Sequence, residues 1–258
     1  MDTQKIKIGI VGLGVIGGVM KKWVEANNPD CSFLISDPPK GYNDDLSGAD
    51  IIFISLHIPT ESDGTQDLTL LKNIIKNLPD KPIFIRTTIL PGTCDGLSRE
   101  FNKKVHFMPE FLTERTAYED FCSQPMIFTG ETELLKRIFI NKPYIEMNNM
   151  EAEITKYSHN VFGALKVTYF NGIYELCGKL GCDYKKVQEG TLSSGYINKP
   201  HTDVPGPDGK FGYGGKCFPK DVNAFCEFVK GSELHTLLSD TMNANSVYRE
   251  GKNDLCLK

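Results

Sequence analysis

Ile6-Lys7-Ile8-Gly9-Ile10-Val11-Gly12-Leu13-Gly14-Val15-Ile16-Gly17 decides how the rest of the chain is read. Residues 6–11 form an apolar, strand-like run. Three glycines follow it in the spacing G-x-G-x-x-G, and the fingerprint precedes a helical segment. Gly12 and Gly14 permit a tight turn and the close approach of backbone to a pyrophosphate, and Gly17 permits close packing of the helix. The N-terminus of the helix that follows favours that anion, and Val15 and Ile16, within the fingerprint, are candidate cofactor contacts with the glycines. Asp37 stands twenty residues beyond Gly17, at the end of the second strand-like run. There it would accept hydrogen bonds from an adenosine ribose diol and repel a 2′-phosphate. Glycines also make plain turns, but the strand, the helix and the acid together point to a dinucleotide site that takes NAD.

The flanking sequence repeats the same theme. Short apolar runs at 6–11, 32–36, 50–55, 82–86, 105–107 and 126–129 alternate with helix-length segments, which predicts an α/β fold with parallel βαβ units. The runs are nearly continuous in Ile, Val, Leu and Phe, as strands covered on both faces should be, so the expected sheet is doubly wound. Pro59-Thr60 follows the third run and Thr87-Thr88 the fourth, at the carboxyl edge where such sheets bind ligands; ordinary strand-end turns read the same way. Beyond residue 149 the period changes. Apolar residues from Ile154 to Leu180 fall mostly at helical intervals and predict one long helix from Glu151 to about Leu180. The segment 198–215, rich in Gly, Pro and Asp, predicts a loop, and Pro219–Val229 another helix. The expected division is a dinucleotide-binding domain over 1–148 and a helical domain over 149–258.

Composition narrows the class. The chain has 258 residues, is 40% hydrophobic, and carries a formal charge of -4 from interspersed acids and bases. With no basic block to neutralise a phosphate backbone, nucleic acid is not an expected partner. No apolar stretch reaches membrane-spanning length and no secretory leader is evident. Eight cysteines are scattered without the spacing of a disulfide scaffold, which points to a reducing, cytoplasmic compartment. Cys177, Cys182 and Cys226 match no zinc-ligand spacing, and no metal is expected.

Three further segments carry reactive chemistry. In Gly212-Tyr213-Gly214-Gly215-Lys216-Cys217-Phe218-Pro219-Lys220-Asp221, Pro219 suits the first turn of a helix. Cys217 then precedes a helix N-terminus, with Lys216 and Lys220 nearby, an environment that favours thiolate. A buried structural cysteine is the commoner fate of a single Cys, and the glycine loop, lysines and helix start argue against it here. Lys156 and Asn160 are four apart on the long helix and share a face; together they could donate to an oxyanion, or simply form a solvated face. In Met108-Pro109-Glu110-Phe111-Leu112-Thr113-Glu114, the backbone from Glu110 to Leu112 could hold a sugar. Glu114 could position a water, and either acid could instead cap a turn.

Taken in order, these motifs resemble the UDP-glucose and GDP-mannose dehydrogenase family over essentially the whole chain. The glycine fingerprint, Thr87-Thr88 before a Pro-Gly turn, Pro109 to Leu112 with Glu114, Lys156 with Asn160, and Gly-x-Gly-Gly-x-Cys-Phe-x-Lys-Asp occur in family order. The resemblance implies that Cys217 is a nucleophile, that Lys156 and Asn160 stabilise oxyanions, and that Asp221 assists proton transfers. It also implies water ordered by Glu114 and Thr88, cofactor contacts from Pro59, Thr60, Thr88 and Glu114, and substrate contacts from Glu110, Phe111, Leu112, Lys156, Asn160, Tyr213 and Gly214. The implied reaction is four-electron, NAD-dependent oxidation of a nucleotide sugar, UDP-glucose foremost, to its carboxylate through a thioester on Cys217. A homodimer through the long helix is implied as well. The family continues into a C-terminal UDP-binding domain that this sequence does not include, so a separate chain supplying it is one expectation. Tyr196 stands where the family tends to carry an arginine that reaches the substrate. Two other readings stay open: a two-electron hydroxyacid dehydrogenase, in which a lysine and an asparagine are similarly spaced, and a non-catalytic NAD-binding partner protein.

Overall fold

The computed structural model describes residues 5–251; Cys256, counted above, lies outside the described residues. The chain divides into two compact units, Met1–Pro59 with Gln66–Lys156 and Thr60–Thr65 with Tyr157–Lys258. The first holds β1 (Ile6–Val11), α1 (Val15–Asn27), β2 (Cys31–Asp37), β3 (Tyr42–Asn43), β4 (Ile51–Ile54), α2 (Thr69–Asn77) and β5 (Ile83–Ile85). It continues with α3 (Thr93–Phe101), β6 (Val105–Phe107), α4 (Ala117–Ser123), β7 (Met126–Phe128), α5 (Thr132–Ile138), β8 (Tyr144–Glu146) and the start of α6 (Asn149–Leu180).

The main sheet has the order β3-β2-β1-β4-β5-β6. Its pairs are parallel except for the edge pair β2–β3. The strands are buried on both sides, as their unbroken apolar runs predict: Ile51 and Phe53 join one core cluster, Ile52 and Ile54 the other, and all four are fully buried. Each such side chain contributes roughly 1.5–3 kcal/mol by leaving water, so a polar residue anywhere in β4 would forfeit a large part of a domain's net stability. Strand order reverses at β1, and the crevice outside the carboxyl ends of β1 and β4 is the ligand-binding position of such a sheet.

One strand pairs differently from the simplest reading of the alternation. Met126–Phe128 does not extend the main sheet; it pairs in parallel with Tyr144–Glu146 as a separate two-stranded sheet. The exposed ladder groups of β6 are met instead by Asn149 at the start of α6. Its Oδ1 accepts from the Phe107 N–H (2.9 Å) and its Nδ2 donates to the Val105 carbonyl (3.1 Å). A side chain therefore ends the sheet where another strand would have continued it.

The second unit contains the rest of α6 with α7 (Tyr184–Leu192), α8 (Phe218–Phe228) and α9 (Glu233–Arg249). Between α7 and α8 the chain runs without regular structure, so its backbone groups need partners from elsewhere. Neighbouring helices supply them. Lys166 donates to the Asn198 carbonyl (2.5 Å), and Gln188 to the Thr202 carbonyl and hydroxyl (2.9 Å each). Asn171 accepts from the Gly212 N–H (2.9 Å), while Asn245 accepts from the Tyr213 N–H (2.7 Å) and donates to its carbonyl (3.1 Å). Thr202 is fully buried and also accepts from the Tyr184 hydroxyl. Side-chain amides thus fix a loop that sequence alone marks only as irregular. Among the described residues no helix is long and apolar enough to cross a membrane, and no group of three or more His, Cys, Asp or Glu could hold a metal ion.

Candidate functional site

In the first unit the glycines have separable roles. Gly12 has φ +86°, and a Cβ there would lie 2.5 Å from the Ser55 carbonyl oxygen; the turn after β1 therefore excludes any side chain. A Cβ on Gly17 would lie 2.3 Å from the Gly12 carbonyl oxygen, whereas one on Gly14 would meet nothing within 4 Å. Gly14 is the N-cap of α1, which has no side-chain cap and no acid in its first turn. The N–H groups that open the helix at Val15 and Ile16 are thus offered to an anion approaching over Gly14. Asp37 ends β2, and its Oδ2 accepts from the Leu13 N–H (2.8 Å). The acid therefore braces the glycine loop, and its other oxygen could accept from a ligand hydroxyl. Lys40 donates to the Leu13 carbonyl (2.5 Å) and sits 3.9 Å from Asp37. A cleft of about 510 Å³ runs from Gly12 and Asp37 to α2, with Pro38, Pro39, Leu56 and Ile74 among its walls. Its size and apolar lining suit an adenosine.

The other cofactor candidates are dispersed. Pro59 belongs to the first unit and Thr60 to the second, as the first residue of the short segment Thr60–Thr65. That segment is tied down by Asn223, which donates to the Glu61 and Ser62 carbonyls (3.2 and 3.3 Å). Thr88 is buried just beyond β5, its carbonyl accepting from Gln66 (3.2 Å). Glu114 is exposed at the start of a 3-10 turn, Glu114–Thr116.

Lys156, still in the first unit, is buried against the segment that follows β6. Its ammonium donates to the Glu110 carbonyl (2.5 Å) and to Glu110 Oε1 (3.0 Å), and lies 5.4 Å from the centre of the Phe111 ring. Glu110 Oε2 accepts from the Leu112 N–H (2.7 Å). The segment 110–112 is thus folded round one cation. Two residues absent from the sequence reading support this arrangement. Arg86, the charge that ends the apolar run of β5, is fully buried; burial pulls its pKa down to about 10, partly opposed by the attraction of Glu110. Glu153, one turn before Lys156, is also fully buried. It accepts from the N–H groups of Gly92 (2.6 Å) and Cys94 (2.9 Å), capping α3 from α6. Burial raises its pKa, and those two backbone bonds only partly offset the rise. The sequence signal for both was a charge at a position that should be apolar.

In the second unit, α8 begins at Phe218 with Pro219 in its first turn, and Cys217 is its N-cap residue with an exposed side chain. The first helical hydrogen bond runs from the Asp221 N–H to the Cys217 carbonyl (2.9 Å). Asp221 is 1% exposed. Its Oδ1 accepts from Lys220 (2.5 Å) and its Oδ2 from the Asn160 amide (2.6 Å). The acceptor-only carboxylate requires the nitrogen of that amide, which leaves Asn160 Oδ1 3.0 Å from His159 Nδ1. Gly163 of α6 lets the Phe218 ring rest on the helix backbone, since a Cβ there would be 2.6 Å from the ring. Tyr213 is buried, 6.4 Å from the Phe218 ring centre, and burial pushes its phenol up to about 12. Gly214 packs against the Arg249 guanidinium, where a Cβ would lie 2.1 Å from Nη2.

Residues 39–147 match the NAD binding domain of the UDP-glucose/GDP-mannose dehydrogenase family, and residues 150–246 match its central domain. The first match starts beyond the glycine loop, which the geometry above supplies independently. UDP-glucose 6-dehydrogenase of Rickettsia conorii is 30% identical over 211 residues, covering 75% of this chain and 48% of that protein. GDP-mannose 6-dehydrogenase of Pseudomonas aeruginosa is 29% identical over 228 residues, covering 77% and 51%. The chain therefore spans about half the length of these relatives. Among solved structures, a UDP-glucose dehydrogenase from the hyperthermophilic archaeon Pyrobaculum islandicum superposes with a TM-score of 0.75 at 22% identity, over 95% of this chain and 69% of that one. At that identity the superposition speaks for the fold.

Proposed function

The chain belongs to the UDP-glucose/GDP-mannose dehydrogenase family and carries its NAD-binding domain, and we propose that it oxidises the primary alcohol of a nucleotide sugar, UDP-glucose foremost, to the carboxylate through a thioester on Cys217. The observation that carries this reading is the exposed Cys217 at the N-cap of α8, beside the buried Asp221–Asn160–Lys220 network. A two-electron oxidation has no need of a nucleophilic thiol; only the second oxidation, from aldehyde to acid, requires one.

Gly12, Gly14, Gly17, the first turn of α1 and Asp37 would hold NAD, which supplies the hydride acceptor for each of the two oxidations. Attack of the Cys217 thiolate on the aldehyde gives a thiohemiacetal, and its alkoxide needs fixed donors. Lys156 has three N–H donors, of which Glu110 takes two, and the Asn160 amide has two, of which Asp221 takes one. Each keeps a donor to spare for an oxyanion. Glu110, Phe111 and Leu112, with Tyr213 and Gly214, are the candidate contacts to the sugar. Water ordered by Glu114 and Thr88, with Asp221 accepting or returning a proton, would hydrolyse the thioester.

A homodimer fits the same reading. Phe162, Tyr169 and Leu176 recur every seven residues along α6 and are 64%, 60% and 49% exposed, an apolar stripe of the kind that pairs helices.

The test is incubation of purified protein with NAD and either UDP-glucose or GDP-mannose, following NADH and product, with Cys217→Ser as control. About two NADH per carboxylate, abolished by the substitution, is expected. One NADH per sugar, insensitive to the substitution, would move the assignment to a two-electron dehydrogenase. No NADH with any nucleotide sugar, despite NAD binding, would favour the non-catalytic reading.

A further inference from the structure

The cleft that begins at Gly12 and Asp37 ends against α2, beyond the position where Asp37 would hold the ribose. Pro38 and Pro39 from the turn after β2, Leu70 and Ile74 from α2, and Leu78 just beyond it give the cleft walls that accept any flat base. Apolar walls cannot tell one purine from another. Apart from Ser36 and Asp37 at the ribose end, the polar side chains lining it are Asn73 and Asn77. Leu70, Asn73, Ile74 and Asn77 stand at i, i+3, i+4 and i+7, so one face of α2 presents two carboxamides among its apolar contacts.

These two amides are coupled. Asn77 Nδ2 donates to the Asn73 carbonyl (2.8 Å) and approaches Asn73 Oδ1 (3.4 Å). An amide normally turns over to suit its partner. Here the nitrogen of Asn77 is committed to a backbone carbonyl one turn away, and the group it has left to offer is Oδ1, an acceptor. Adenine carries an amino donor at C6, whereas hypoxanthine and guanine carry an acceptor oxygen there.

We propose that Asn77, with its amide orientation set by Asn73, reads the 6-amino group of the dinucleotide's adenine and so selects adenine over 6-oxo purines. The proposal rests on NAD occupying this cleft and not on the chemistry at Cys217.

The experiment is calorimetric titration of the full chain with NAD and with nicotinamide hypoxanthine dinucleotide, for the unaltered protein, Asn77→Leu and Asn77→Asp. Asn77 is exposed, so neither substitution disturbs the core. The unaltered protein should bind the hypoxanthine dinucleotide about tenfold more weakly than NAD, one hydrogen bond having become an acceptor–acceptor contact. In Asn77→Leu the two affinities should fall within about twofold of each other, while Asn77→Asp, which keeps an acceptor, should retain the preference. Equal affinities in the unaltered protein, or an undiminished preference in Asn77→Leu, would overturn the proposal and leave the NAD assignment standing. Failure to bind either dinucleotide would overturn the NAD assignment and the proposal with it.

Discussion

Asp221→Asn removes one charge from a carboxylate that is 1% exposed and accepts from two side chains. Removing one partner of a buried ion pair costs about 3–5 kcal/mol when the survivor stays dry. The Lys220 side chain retains 17% exposure, so its stranded ammonium recovers part of its hydration and the loss falls below that range. The Asn160 amide meanwhile exchanges a charge-assisted bond for a neutral one, a difference of about 1 kcal/mol. The expected destabilisation is therefore about 2–3 kcal/mol, read by urea unfolding followed by far-ultraviolet circular dichroism. Lys220→Met supplies the second edge of a double-mutant cycle, and the two substitutions should couple by at least about 1 kcal/mol. A loss below about 0.5 kcal/mol, or additive single and double variants, would refute the view that this ion pair holds the start of α8.

Gly14→Ala and Gly17→Ala should separate ligand approach from packing. The first has open space for its Cβ and should leave stability within about 0.5 kcal/mol while weakening NAD binding at least tenfold by calorimetry; the second collides with the Gly12 carbonyl and should lower stability by about 1–3 kcal/mol. Glu153→Gln tests a pH dependence. Because burial raises the Glu153 pKa above its ordinary 4.5, the folded state binds the proton more tightly than the unfolded state; the stabilisation is present below 4.5 and lost as pH rises through the raised value. Thermal melts should show the advantage of the unaltered protein over Glu153→Gln shrinking as pH rises from 4 toward neutrality, and an advantage that grew would reverse the assignment. Phe162→Glu places a charge in the exposed stripe of α6 and should yield a monomer by light scattering coupled to gel filtration, whereas the unaltered chain should give a dimer; a monomer in both would remove the dimer from the proposed function.

What the sequence made legible were features written in consecutive residues. The unbroken apolar runs from Ile6 to Phe107 located five strands of the main sheet, because a strand covered on both faces needs no pattern beyond continuous apolarity. The Tyr42–Asn43 edge strand escaped notice because it is short, exposed and polar. Pairing of Met126–Phe128 with Tyr144–Glu146 was equally hidden, since what ends the main sheet is the side chain of Asn149, 42 residues beyond the Phe107 it bonds. The same limit applies to Arg86 and Glu153. Each is a buried charge, Arg86 just beyond β5 and Glu153 in α6, and only the fold brings Arg86 near Glu110 or Glu153 to the start of α3.

Asp221 shows how such long-range contacts alter a chemical reading. The family resemblance implies an acid that assists proton transfers near Cys217. In the folded chain both oxygens are already engaged, one by Lys220 and one by Asn160, from a residue 61 positions earlier. With Lys220 and Asn160 both bound to it, its first effect is to fix the Asn160 amide and the start of α8. Each oxygen keeps a lone pair, but the group is 1% exposed, so water would reach it where a neighbouring side chain moves aside. Lys220, the more exposed of the pair's two partners, is the donor able to turn, which makes the Lys220–Asp221 contact the place where proton transfer and helix stability would trade against each other.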